Sequence, residues 1–339
     1  MTTTLEPVPE IDADEEKKRR RRYILLAFLA ALVLLLAIFF LWYLFFRKPI
    51  SQIVPPLDLT NPPAYQASIY GLTKPLGIAV SPDGSRMYVT QTSGDQATLL
   101  LDATGKPVAV LAPPAELTAH ASQLYVAVDP RNGDVYATDR TAGAVYHYRA
   151  DGTYVDEFDN GPTIDVWQPL AIAFDATGTM YVSDVGGAAQ RIHVFGPDGA
   201  LVRDLGSEGL FSFPNGIAVD KAGYVYVSDS NNGRLLVFDP AGTQVSLVRR
   251  GPAAGELGMP RGVAFDDTGR VYVVDSVGQG VHMYRPLQQG DQVPTFLARF
   301  GREGTTDGAF EFPNGIAVDS RGHVYVTDWN NDRLQVWSY

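Results

Sequence analysis

One pattern recurs six times along this chain, and it constrains the fold more than any other feature. Its clearest copies read GIAVDKAGYVYVSDSNNGRLLVFDPAG, from Gly216 to Gly242, and GIAVDSRGHVYVTDWNNDRLQVW, from Gly315 to Trp337. The others are GIAVSPDGSRMYVTQ from Gly77, YVAVDPRNGDVYATD from Tyr125, AIAFDATGTMYVSD from Ala171 and GVAFDDTGRVYVVD from Gly262. Each is an apolar run, a turn with Gly, a Tyr-Val strand, a polar turn, an alternating strand, a second Gly turn and a short last strand. The second residues of the copies, Ile78, Val126, Ile172, Ile217, Val263 and Ile316, are spaced 48, 46, 45, 46 and 53 residues apart. The long interval holds an insertion, PLQQGDQVP, at Pro286 to Pro294. Four short strands in about 45 residues, without helical periodicity, are the signature of a propeller blade. Six copies therefore predict an all-β, six-bladed β-propeller with four-stranded blades over residues 64–339.

The sixth copy stops after its third strand, at Tyr339, while YQASIYG (Tyr65 to Gly71) resembles the fourth strand FLARFG (Phe296 to Gly301). The N-terminal segment is thus expected to supply the outer strand of the last blade, closing the ring and hiding a sheet edge. The segments DSNNGRLLVF (Asp229 to Phe238) and DWNNDRLQVW (Asp328 to Trp337), each following a GIAVD strand, resemble the NHL-repeat family. The resemblance covers about Tyr65 to Tyr339 and implies an NHL-type propeller. It does not single out an activity, because the family includes sensor and scaffold domains as well as a few lyases.

The propeller is preceded by a segment of a different kind. Tyr23 to Phe46 holds 24 residues without a charge, Gly or Pro. As a helix it reaches ~36 Å, enough to cross a ~30 Å hydrocarbon layer. It ends in aromatics rather than at a small-residue cleavage site, which favours an uncleaved anchor over a signal peptide. Six bases, Lys17 to Arg22, precede it and only Arg47 and Lys48 follow, so the positive-inside bias predicts one transmembrane α-helix at residues 23–46 with a cytoplasmic N-terminus. Tyr23 marks its inner edge, and Trp42 and Tyr43 an outer aromatic belt. The propeller is then extracytoplasmic, on a single-pass protein of the cell membrane. Residues 1–22, acidic and then basic, read as a disordered tail, and residues 47–63, with Pro49, Pro55, Pro56, Pro62 and Pro63, as a stiff stalk.

Charge and cysteine count exclude several classes. Taking the six acids and eight bases up to Lys48 from the totals of 38 and 27 leaves 32 against 19, a net charge of -13 beyond the anchor. Such a surface argues against nucleic acid as a partner. The absence of cysteine removes disulfides, thiolate metal sites and a Cys nucleophile.

Internal repetition separates scaffold from candidate site: a residue recurring at one blade position serves the blade, and one that breaks the pattern serves the molecule. Asp129, Asp175, Asp220, Asp266 and Asp319 recur at the ends of first strands, each followed by a turn glycine, and read as turn-binding carboxylates. Asp139, Asp184, Asp229, Asp275 and Asp328 end second strands, and Arg191, Arg234 and Arg333 begin third strands; each Asp and Arg of one blade is expected to pair across the hairpin. The Asp229, Asn231 and Asn232 loop lacks the spacing of a calcium site.

Metal-using NHL-type lyases place histidines near the central axis, as the resemblance implies. Here His147, His193 and His282 fall on third strands, far from the axis, with His120 and His323 elsewhere. The position opening each first strand, where such a ligand would stand, holds Leu76, Leu124, Leu170, Asn215, Arg261 and Asn314, none a histidine. No GxSxG, HExxH or Walker motif is present. The reading names no catalytic residue, no metal ligand and no cofactor.

What breaks the pattern is the ring of positions at the channel mouth. Asn215, Arg261 and Asn314 make a polar arc on blades four to six against leucines on blades one to three, suited to a carboxylate or a polar peptide segment. Trp329, Trp167 and Arg140, in loops on the same face, add interface-type anchors. The expected function is a binding or scaffold module for a protein or cell-surface ligand. The alternative is an exported lyase or hydrolase acting in the central channel.

Overall fold

The computed structural model describes residues 13–46, 60–94, 96–117, 122–159, 164, 166–288 and 290–339. The tail before residue 13, the stalk from 47 to 59 and His120 lie outside the described residues. The chain divides into two compact units, Met1–Asp58 and Leu59–Tyr339.

Among its described residues the first unit is one α-helix, α1 (Ala13–Phe46), and it is long and apolar enough to cross a membrane. It begins earlier than expected, because residues 13–22 of the predicted disordered tail are helical. The physical reason is local: Glu, Lys and Arg are good helix formers, and acids at the helix start suit the positive end of its dipole.

The second unit is a ring of six four-stranded antiparallel sheets. In the fourth blade, strands β14 (Pro214–Val219), β15 (Val225–Asp229), β16 (Arg234–Phe238) and β17 (Gln244–Val248) follow one another from the axis outward. Each blade packs between two others, so both faces of its strands are covered. This explains why the second strands read as continuous apolar runs rather than as an alternation: all five residues of β15 are buried. Successive side chains go to opposite neighbours. Val225 and Val227 join a cluster with Ala171, Ile192 and Leu205 of the third blade, whereas Tyr226 joins Val263, Val271 and Tyr284 of the fifth.

The inner strands β2 (Pro75–Val80), β6 (Gln123–Val128), β10 (Pro169–Phe174), β14, β18 (Pro260–Phe265) and β22 (Pro313–Val318) surround the axis. Their glycines have a steric cause, for neighbouring backbones come so close that a Cβ on Gly216 would run into the Arg261 carbonyl and one on Gly315 into the Leu76 carbonyl.

The ring closes as the repeat pattern predicts. Strand β1 (Ala64–Tyr70) pairs antiparallel with β24 (Arg333–Ser338), from Ala64 opposite Ser338 to Tyr70 opposite Arg333. Blade six is thus assembled from both ends of the propeller sequence. Ser68 Oγ and the Tyr70 hydroxyl each donate to Asp307, at 3.0 Å, which ties the closing strand to a loop of the same blade.

Candidate functional site

The aspartates ending the first strands bind their turns. Asp220 Oδ1 accepts the Ala222 and Tyr224 N–H groups, both at 2.9 Å, and Gly223 supplies the φ of +85° that the turn needs. The aspartates ending the second strands hold the incoming chain of their own blade: Asp229 accepts from Ser212 N at 2.7 Å and Asp328 from Glu311 N at 2.7 Å.

Pairing of that second aspartate with an arginine across the hairpin occurs in blades four and six, Arg234 to Asp229 and Arg333 to Asp328, both at 2.8 Å. Blade three departs from it. Arg191 pairs with Asp204 on the outer strand at 3.0 Å, and Asp184 instead faces His193, at 3.3 Å. The reason is competition: His193 occupies the buried third-strand position that leucine or glutamine fills elsewhere and reaches both carboxylates, with Nδ1 2.6 Å from Asp204. In the Asp229 loop both carboxylate oxygens are taken by donors, among them Asn232 Nδ2 at 2.8 Å, so the loop is tied by Arg234.

The third-strand histidines stay in their own blades. His147 lies between Asp134 and Asp156, at 3.1 and 2.9 Å, stacked on Tyr136. His282 sits near Asp275 at 3.9 Å, and burial pushes its pKa down to about 4, with Arg299 adding to and Asp275 opposing the shift.

At the channel mouth the decisive residue is one that sequence reasoning passed over. Tyr125 stands where the other inner strands carry Gly77, Ala171, Gly216, Gly262 and Gly315. With no side chains opposing it from four of those strands, its ring crosses the bore. Its hydroxyl lies 3.1 Å from Oδ1 of Asn215 and 3.1 Å from Oδ1 of Asn314. A phenol has one proton to give. Asn215 has its amide nitrogen committed to the Phe213 carbonyl at 3.2 Å and Ser230 Oγ at 3.1 Å, so it presents oxygen. Asn314 turns the same atom, Oδ1, to the phenol, so the two amide oxygens share its one proton. Beneath this contact the bore is a cavity of about 50 Å³, lined by Ile78, Ile172, Ile217, Val263 and Ile316. That is room for water, not for a substrate.

The candidate residues therefore fall into three groups. Asn215 and Asn314, 2% and 7% exposed, meet each other through Tyr125. Arg261 lies beside them and remains undersupplied with acceptors, its Nη2 3.3 Å from Met259 Sδ and its buried Nε without a partner. Burial raises the Tyr125 pKa, and the Arg261 charge works against that rise. Trp167 joins Leu76, Leu124, Leu170 and Phe213 in one apolar cluster, with the Arg140 guanidinium 5.3 Å from the centre of the Phe213 ring. Trp329 sits apart, between blades six and one: its Nε1 donates to Thr92 at 2.9 Å and Lys74 Nζ lies 5.1 Å over its ring.

Two further features of this face were not legible in the sequence. Phe213 and Phe312 adopt φ of +58° and +54° although each precedes a proline, and both are held by a glutamine of the preceding blade, Gln190 at 2.6 Å and Gln279 at 2.7 Å. A pre-proline residue is ordinarily extended, so no local signal announces them. Tyr125 did leave a trace, as YVAVD where the other copies begin with Gly or Ala.

The NHL repeat model matches residues 211–238 and 310–337, which hold the first three strands of blades four and six. No curated protein matches the chain. Among solved structures the propeller is similar to a streptogramin B lyase, at 16% identity and a TM-score of 0.57, covering 80% of this chain and 96% of that one. It is also similar to a chain of a nidogen/laminin complex, at 19% identity and a TM-score of 0.52, covering 62% and 75%. Identities this low speak to fold alone. With the repeat model matched in two blades and the same strand pattern in all six, the chain is a six-bladed β-propeller carrying NHL repeats.

Proposed function

We propose that this protein is a membrane-anchored extracytoplasmic binding module that engages a protein or cell-surface ligand through the face carrying its channel mouth. The observation that carries the reading is the Tyr125 contact with Asn215 and Asn314, which leaves about 50 Å³ in the bore. A bore so filled favours recognition on the outer rim over chemistry within the channel. The rim offers what an interface uses: the Arg261 guanidinium with an unpartnered Nε, the half-buried Trp167 and Trp329, and the Arg140–Phe213 pair. Anchorage rests on α1 and its flanking bases, and the likeness to a chain of a nidogen/laminin complex is consistent with a propeller used for protein binding.

The test has two parts. Because the chain lacks cysteine, a Ser338→Cys variant carries one thiol, and a membrane-impermeant maleimide added to intact cells labels it if the propeller is outside. Cell-surface fractions are then titrated against wild type, Arg261→Ala and Trp329→Ala. A loss of at least about tenfold in affinity is the hot-spot result, and unchanged binding moves the site elsewhere.

A further inference from the structure

The two copies of FPNGIAVD allow blade six to serve as a template for blade four. In blade six the octapeptide runs into Ser320-Arg321-Gly322-His323, and in blade four into Lys221-Ala222-Gly223-Tyr224. The turns have equal length, and their leading aspartates bind the same backbone groups. Asp319 Oδ1 accepts from Arg321 and His323 N–H at 2.9 Å, as Asp220 Oδ1 does from Ala222 and Tyr224.

The second carboxylate oxygen separates the two blades. Asp319 Oδ2 takes Arg321 Nη2 at 2.8 Å, Arg321 Nε at 3.1 Å, His323 Nδ1 at 2.9 Å and the Tyr325 hydroxyl at 3.1 Å. Asp220 Oδ2 has no partner among the described residues. Alanine stands in for the arginine and tyrosine for the histidine, while the Tyr226 hydroxyl accepts the Leu287 N–H of the next blade at 2.7 Å. Burial pushes all these carboxyls up. At Asp129, Asp266 and Asp319 hydrogen bonds, an arginine's among them, bring the pKa below the usual carboxylate value, whereas Asp220 stays raised.

The missing arginine also leaves space. Arg321 reaches from blade six onto blade one, with Nη2 3.1 Å from the Gly84 carbonyl, and a Cβ on Gly84 would run into its guanidinium. Arg131 bridges blades two and three in the same way, paired to Asp129 and bonded to the Pro197 carbonyl at 3.1 Å above Gly178. At the junction of blades three and four, Thr177 holds that position and bonds its own Asp175. At the junction of blades four and five the corresponding glycine, Gly269, has open space above it, the nearest atom to a Cβ there being Pro286 Cγ at 3.8 Å. A cavity of about 360 Å³ opens at this place, lined by Asp220, Ala222, Phe265, Gly269, Pro286 and Leu287. Its volume is within the ~300–1,000 Å³ of small-ligand pockets. Pro286 and Leu287 belong to the insertion PLQQGDQVP, which the repeat itself does not require. Lys221 does not fill the groove: its side chain is 77% exposed and its Nζ bonds the Asp267 carbonyl at 3.0 Å. Of the other acids lining the groove, Asp266 is already satisfied by Arg270 at 2.6 Å and the Tyr272 hydroxyl at 2.8 Å, and Asp267 pairs with Lys221 at 3.6 Å.

We propose that this groove binds an alkylguanidinium group, seated where Arg131 and Arg321 sit at their own junctions. The planar head meets Asp220 Oδ2, and the stem lies along Phe265, Pro286 and Leu287. A guanidinium suits the position better than an ammonium because the sister sites use its fork, bonding a carboxylate on one side and a backbone carbonyl on the other. The site is on the face opposite the channel mouth, and it stands independently of what that mouth recognises.

The experiment is calorimetric titration of the full chain in detergent micelles with acetyl-arginine amide and with its neutral isostere acetyl-citrulline amide. Saturable binding of the first, at least about tenfold weaker binding of the second, and loss in Asp220→Asn and Ala222→Arg is the expected pattern. Ala222→Arg also acts as its own folding control, since the new side chain completes the blade-six arrangement and raises the melting midpoint by about 2–4 °C. An arginine-centred tripeptide binding more tightly than the amide assigns the group to a partner polypeptide, and equal binding assigns it to a small molecule. Wild-type protein that ignores millimolar acetyl-arginine amide, or binding unaltered in both variants, overturns the proposal.

Discussion

Tyr125 and Asn314, 189 residues apart in the chain, meet across the propeller axis with 3.1 Å between phenol and amide oxygens. Together with Asn215 this contact joins blades two, four and six through side chains across the bore.

Removing the hydroxyl and removing the ring therefore have different expected costs. Tyr125→Phe leaves two buried amides short of a partner and lowers stability by about 1–3 kcal/mol. Tyr125→Ala also empties the bore and costs about 3–5 kcal/mol. Denaturant unfolding of the two variants checks the order, and a Tyr125→Phe protein as stable as the wild type would show that the hydroxyl contributes nothing.

His282 gives the propeller an acid-sensitive term. Its pKa is held down to about 4 in the folded state against an ordinary value of 6.5, so on acidification the unfolded chain takes up the proton first. Its contribution is complete above about pH 6.5 and is lost as the pH falls through 4, amounting to about 3 kcal/mol over that window. In blade four the equivalent residue is the buried Leu236, which makes His282→Leu the natural comparison. Unfolding free energy measured from pH 7 to pH 4 should fall less steeply in that variant than in the wild type.

Arg333 and Arg234 occupy the same position in blades six and four, yet their loss should differ. Arg333 is 2% exposed, pairs with Asp328 and donates to the carbonyls of Thr306 and Ala309 at 2.8 and 2.7 Å. Replacing it with methionine leaves a buried carboxylate uncompensated, at a cost of about 3–5 kcal/mol. Arg234, with a side chain 27% exposed, is itself in contact with water and donates to one backbone carbonyl, Leu210, rather than two, and Arg234→Met should cost less than half as much. Thermal melts of the pair are sufficient to tell.

Deleting residues 60–72 removes β1 and exposes the edge of β24. The expected outcome is loss of a single cooperative transition and concentration-dependent association through the open edge. Sharp, wild-type-like melting of the truncated protein would contradict closure by this strand.

The repeat made the ring legible from the residues alone, and for a definite reason. A blade cannot bury its faces without a neighbour on each side, so the six copies repeat the same apolar runs, five of them the turn aspartate and four the close-approach glycine. Even the closing strand showed itself, because the truncated sixth copy and the resemblance of Tyr65–Gly71 to a fourth strand each announce a missing partner. What a position does when it departs from the pattern was a different matter. Asn215 and Asn314 were visible as departures, but their common partner Tyr125 sits 90 residues before the first of them, and only the curvature of the ring brings the three together. The pairing of Arg191 with Asp204 rather than Asp184, the left-handed Phe213 and Phe312, and the empty arginine place beside Asp220 were likewise settled by tertiary structure. Repetition specifies what every blade needs from its neighbours. Which side chain reaches a given carboxylate, and which groove stays open, depends on distances between blades that no single copy encodes.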